Sequence, residues 1–150
     1  MKEKILISAC LLGQKCRYDG KEKGIKELLK LTKYFDLIPV CPEVLGGLKI
    51  PRYPSEISND RVINQKGVDV TENYNNGAYW VFSVAKQMNI KMAILKENSP
   101  SCGVHKVHNG KFDGGLIEGS GITTKKLLSI GVKVLNEEEA LKMLEDLEAK

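Results

Sequence analysis

The chain has 150 residues, 42% of them hydrophobic and 28% charged, with four cysteines and a net charge of +4. That composition is ordinary for a soluble globular domain and long enough for one core, so a low-complexity chain and a disulfide-stapled mini-protein are excluded. No apolar run approaches the ~18 residues of a membrane span, and MKEKILISAC becomes strand-like too early for a secretory leader.

A cytoplasmic location is therefore expected. In a reducing compartment the four thiols stay free and bind metal, do chemistry or pack. The positive charge is mild and dispersed. Lys21, Lys23, Lys26, Lys30 and Lys33 alternate with apolar residues, which reads as a solvated helix face with at most weak attraction for RNA or another anion.

Taken in chain order, residues 4–9 (KILISA) form a short apolar run that reads as a buried strand. Residues 13–24 make a loop. Ile25, Leu28 and Leu29 have helical spacing and predict a helix to about Tyr34. LIPV, residues 37–40, is a second strand that ends at Cys41. CPEVLGGLKIPRYPSEI holds three prolines and two glycines, so neither a regular helix nor a central strand is expected there. Its apolar residues argue for an ordered loop, and long ordered loops are usually functional.

RVINQKG predicts a small strand and turn. Thr71 is placed to cap a helix running to about Asn89, with Tyr74, Ala78, Val81, Ala85 and Met88 as its apolar stripe. MAIL, residues 92–95, is the third strand. VHKVHNGKF carries an Asn-Gly hairpin signal. A helix from Thr123 to about Ile130, a last strand VKVL and a C-terminal helix complete the chain. Asn136 with Glu139 makes a capping-box start for that last helix. Strands alternating with amphipathic helices predict an α/β fold. The expected architecture is a single domain over residues 1–150 with a mainly parallel β-sheet flanked by helices, a Rossmann-like three-layer arrangement.

In such sheets ligands bind beyond the carboxyl ends of the strands. Cys10 follows the first strand, Cys41 follows the second, and Cys102 comes soon after the third. All three are expected at one rim, with Cys16 in the first loop close by. A single free cysteine is most often a small buried hydrophobe, but three at successive strand ends beside Gly, Pro or Ser argue for a shared site. Structural zinc sites usually use close pairs of ligands, whereas here 5, 24 and 60 residues separate the cysteines. Wide gaps suit an iron–sulfur cluster, yet spacing alone does not separate cluster from zinc.

Polar residues crowd the same motifs. Glu43 follows Cys41, Ser99 and Ser101 flank Pro100 before Cys102, Arg17, Tyr18 and Asp19 follow Cys16, and Arg52 and Glu56 lie in the proline-rich loop. A carboxylate can move protons and a serine hydroxyl can position a substrate atom. Each also has a plain structural reading, as a turn residue, a loop cap or a surface pair. His105 and His108 are expected at the surface near the hairpin, with one of them near enough to Cys102 to line a site. No P-loop, GxGxxG or G-x-S-x-G occurs.

The motifs CLLGQKCRYDG, CPEVLGGLKIPRYPSEI, GVDVTENYNNGA, LKENSPSCG, GKFDG and GSGITTKKLLSIGV closely resemble the thiouracil desulfidase family, from about residue 5 to residue 135. Of the domains seen in that family, this sequence carries the single common one. The resemblance implies a [4Fe–4S] cluster held by Cys10, Cys41 and Cys102, with one iron not bound by protein and Cys16 as a further candidate ligand. It implies that Glu43 moves protons and that Ser99 or Ser101 positions the substrate, and Arg52 and Asp19 are the candidates for further substrate contacts. The implied reaction is a non-redox removal of sulfur from thiouracil, giving uracil and hydrogen sulfide. A thiolated base, a nucleoside and a thiolated tRNA residue all fit as substrates. Two readings compete: a zinc-binding module that recognises RNA or protein without turnover, and a thiol-redox or sulfur-carrier protein using Cys10 and Cys16.

Overall fold

The computed structural model describes residues 2–21 and 23–150. Met1 and Glu22, the latter inside the predicted 13–24 loop, lie outside the described residues.

Four strands build the central sheet: β1 (Glu3–Ser8), β2 (Phe35–Val40), β5 (Met92–Ile94) and β8 (Lys133–Leu135), in the order β2-β1-β5-β8. Every pair is parallel. The period of two in each strand sorts its side chains onto two faces. Ile5, Ile7, Ile94 and Leu135 share one face with Leu28, Leu31, Ala140 and Leu144. Leu6, Ala93 and Val134 share the other with Val81, Ala85 and Leu127. Helices therefore cover both faces, as the alternation of strands and helices predicted. β2 is an edge strand, which is where Pro39 is tolerated, since proline has no amide to give to a ladder.

Around the sheet lie α1 (Pro42–Leu45), the hairpin β3 (Ser55–Ser58) and β4 (Arg61–Asn64), α2 (Thr71–Gln87), the pair β6 (Lys106–His108) and β7 (Leu116–Glu118), α3 (Ile122–Ser129) and α4 (Glu137–Glu148). The α4 capping box between Asn136 and Glu139 is present as expected. Among the described residues, no helix is long and apolar enough to cross a membrane.

Several local expectations are corrected. The helix expected up to about Tyr34 is a 3-10 helix, Lys26–Lys33, and it buries Leu28 and Leu31 while Leu29, expected on the apolar face, points out. Three-residue repeats eclipse in a 3-10 helix, so this pair suits it. The 41–57 loop contains one helical turn, because Pro42 falls at its first position, where a missing amide costs nothing. That segment then enters a tight hairpin at Asn59 and Asp60, both at positive φ as a two-residue primed turn requires.

Thr71 is the first helical residue of α2 rather than its cap. Its hydroxyl accepts from the Val62 amide at 2.7 Å, and its own amide donates to Asp69. Asn109-Gly110 does not form a tight hairpin. Residues 109–115 bridge β6 and β7, because the Glu56 carboxylate takes the Gly110 and Phe112 amides and Asp113 takes the Gly115 amide and the Asn109 side chain.

Candidate active site

The carboxyl ends of β1, β2 and β5 open into a cavity of about 230 Å³. All four cysteines line it. Cys10 is fixed by a tight turn, Ala9–Leu12, that leaves β1 and closes on Gly13 at φ 97°. Cys41 stands between the end of β2 and the start of α1. Cys102 arrives from the opposite face of the sheet, since it packs with Leu6 and Val81 whereas Cys10 and Cys16 pack with Ile7 and Leu28. The cavity thus straddles the carboxyl end of the sheet. Ser8 accepts the Lys96 amide at 2.9 Å and ties the ends of β1 and β5 together there.

The thiols differ in acidity. Burial, then Cys41, pushes the Cys10 thiol up to about 11. Burial drives Cys102 well above the ordinary thiol range, and the hydrogen bond to Cys41, followed by burial, does the same to Cys16. Cys41 is the acidic one, held down to about 7 chiefly by the Cys16 thiol. Cys41 Sγ also lies 3.7 Å from the Cys16 carbonyl oxygen.

Glu43 projects from the first turn of α1 into the same cavity. Its Oε1 accepts from Arg52 Nε at 3.2 Å, Arg52 Nη2 at 3.0 Å and the Tyr74 hydroxyl at 2.8 Å. Its Oε2 has a single long contact, 3.4 Å, from Ser99 Oγ. Arg52 also donates to the Lys49 and Cys16 carbonyls, so one guanidinium joins two loop segments to the carboxylate. Ser99 Oγ accepts the Ser101 and Cys102 amides at 3.0 and 3.1 Å, which aims its hydrogen at Glu43.

Two sequence candidates fall outside this group. Ser101 is fully buried, and its hydroxyl bonds Thr123 Oγ1 at 2.9 Å, joining the Cys102 loop to α3 instead of facing the cavity. Asp19 takes the Lys21 amide and pairs with Arg17 at 3.5 Å, a turn role outside the cavity lining. Glu56 holds the 110–112 backbone. Of the histidines, His105 is exposed and bonds Glu139, as expected, whereas His108 lines the cavity.

Sequence reasoning passed over Tyr74 and Glu97 as site residues. Tyr74 read only as part of an apolar stripe. Glu97 receives the Val104, His105 and Lys106 amides and the Asn136 side chain, which makes it the anchor of the loop carrying Cys102. Its position directly after a buried strand was the available signal.

Comparison with known proteins decides the family. The 2-thiouracil desulfurase family matches residues 5–139. The chain belongs to that family. This desulfurase-family chain is 40% identical to the uncharacterized protein YbbK of Bacillus subtilis (strain 168), over 90% of its own length and 96% of the relative's. It is also similar to a solved structure, the [4Fe-4S]-dependent thiouracil desulfidase TudS. The TM-score is 0.90 at 40% identity, covering 99% of this chain and 100% of that one.

Proposed function

We propose that the protein is an iron–sulfur-dependent desulfidase that converts a thiolated pyrimidine such as thiouracil, with water, into the pyrimidine and hydrogen sulfide. The observation that carries this reading is the meeting of four cysteines and a clamped carboxylate in one cavity at the carboxyl end of the sheet. The 40%-identical desulfidase structure supports it.

The donor set suits a cluster. Among the described residues, no three His, Cys, Asp or Glu side chains gather around a point where a single ion could sit. Cys10, Cys41 and Cys102 reach the cavity from three distant segments, and cysteine thiolates are the ligands that iron–sulfur clusters take. Cys10, Cys41 and Cys102 would hold a [4Fe–4S] cluster as thiolates, with Cys16 beside Cys41 as the remaining thiol and one iron left without a protein ligand. The redox alternative pairs Cys10 with Cys16, yet Cys16 interacts foremost with Cys41. When bound, the cluster supplies a sulfur-seeking Lewis acid for the thiocarbonyl sulfur.

The chain's own groups handle the protons. Glu43 Oε1 is saturated by three donors, so Oε2 is the oxygen free to take a proton from the attacking water and return it to the leaving sulfur. Ser99 holds that oxygen in place. Oxygen replaces sulfur on the ring carbon, both protons of the water end on sulfur, and no electrons are transferred to or from the protein. Arg52 and Tyr74 keep the carboxylate oriented. The substrate is a small thiolated base, and a cytoplasmic setting keeps the thiols reduced.

The test is anaerobic reconstitution with iron and sulfide. About four irons and four acid-labile sulfides per chain, with sulfide release from 2- or 4-thiouracil, are expected. Failure to take up a cluster sinks the reading.

A further inference from the structure

His108 is the cavity residue that the scheme above leaves without a task. It ends β6, where Val107 packs into the core and bridges Asn98, so the next side chain lies on the other face of the strand. The backbone beyond it is pinned, because Glu56 takes the Gly110 and Phe112 amides at 2.9 and 3.1 Å. The imidazole is thereby held at the cavity wall with Ser55, Asn98 and Ser99. Its Nδ1 is buried and has no hydrogen-bond partner, and it is the single such side-chain atom among the described residues. Buried polar atoms are nearly always paired, so an unpaired ring nitrogen in a cavity-lining residue points to an imidazole that turns to meet a partner arriving from the cavity.

Two other polar side chains at that wall are already engaged: Ser99 with two amides and Glu43, and Glu43 Oε1 with Arg52 and Tyr74. A thiolated pyrimidine carries ring N–H donors and a carbonyl acceptor beside its thiocarbonyl, and those polar edges also need partners once the base leaves water. A neutral imidazole offers one donor and one acceptor, and a half-turn of the ring exchanges which nitrogen faces the cavity. We propose that His108 is a substrate-contacting residue that binds the N–H or C=O edge of the pyrimidine and so orients its thiocarbonyl carbon toward Glu43. The assignment rests on the desulfidase reading for its substrate and on the orphaned nitrogen for its site.

The test uses the cluster-loaded full chain and two variants, His108→Phe, which keeps a ring without polar atoms, and His108→Gln, which keeps a hydrogen-bonding end. Binding of uracil, which does not turn over, is measured by calorimetry, and KM and kcat for thiouracil are measured in parallel. Uracil affinity should fall tenfold or more in His108→Phe and stay within about threefold of the parent in His108→Gln. KM should rise more than kcat falls. Unchanged uracil binding in His108→Phe overturns the assignment. So does an equal loss in both variants with unchanged melting temperatures, because shape rather than hydrogen bonding would then be what matters. If the loaded parent releases no sulfide from thiouracil, the desulfidase reading fails. His108-dependent uracil binding in that same protein would still uphold a nucleobase contact.

Discussion

At the scale of single residues, the site depends on one carboxylate with two unequal oxygens. Arg52 and Tyr74 occupy Oε1 of Glu43, and only the 3.4 Å contact from Ser99 reaches Oε2. In the proposed reaction Glu43→Gln removes the proton carrier while keeping the shape, and general acid–base groups contribute about 10²–10⁴-fold. Sulfide release from thiouracil should therefore fall by about two orders of magnitude or more, with iron and labile sulfide unchanged. Loss of iron in that variant would mean that Glu43 serves the cysteines instead of the proton. Cys10, Cys41, Glu43, Arg52, Ser99 and Cys102 all stand in motifs readable in the sequence. Tyr74 was not readable as a site residue, because an aromatic in a helical stripe looks like core, whereas the sequence placed one of the two histidines near enough to Cys102 to line the site and the fold picks His108.

At the scale of elements, the short α1 turn has to be docked before Cys41 and Glu43 can point anywhere definite. It is docked on α2 by two glycines. A Cβ on Gly77 would lie 1.8 Å from the Pro42 carbonyl oxygen, and one on Gly46 would lie 2.0 Å from the Asn73 carbonyl oxygen. Both contacts are to backbone, so neither can relax by a rotamer change. Gly77→Ala should cost about 3 kcal/mol and lower Tm by roughly 6–12 °C, and it should reduce activity beyond the fraction unfolded because α1 is displaced.

The loop of Cys102 has a different anchor. Burial of Glu97 disfavours its charge, but Asn136 and the amides of residues 104–106 outweigh that and hold its carboxyl below the ordinary value. A depressed folded pKa contributes stability above the unfolded value of about 4.3, and that contribution is lost as pH falls through the folded pKa. Glu97→Gln should therefore cost about 1–2 kcal/mol at pH 7. Its deficit against the parent protein should shrink as denaturant melts are taken from pH 6 towards pH 3. The strands and long helices were legible because hydrophobic periodicity is local. The turn at 42–45 and the 3-10 geometry of 26–33 were not, because Pro42 and the Leu28–Leu31 spacing permit those geometries without dictating them, nor was the 109–115 excursion, because Glu56 sets it from far along the chain.

At the scale of the whole molecule, the cavity lies where segments from both faces of the sheet meet, so a group bound by Cys10, Cys41 and Cys102 links elements from both sides. Anything that binds only the folded state stabilises it by mass action, about 2.7 kcal/mol at a hundredfold excess over Kd. The reconstituted protein should then melt about 5–10 °C above the same protein stripped of iron, and anaerobic calorimetry of the two forms would show it. Equal melting temperatures would mean that the cysteines do not bridge the elements through a cluster.

The sequence by itself determined the alternation of strands and helices, the parallel sheet and the set of cysteines at its rim. These follow from periodicity and from chain order, which neighbouring residues carry. Only the tertiary structure decided that Ser99 faces the cavity while Ser101 is buried against Thr123, that Asp19 stays outside, and that His108 lines the cavity with an unpaired nitrogen. Which way a loop side chain turns depends on the hydrogen-bond partners it meets, and those partners come from segments that no local pattern brings together.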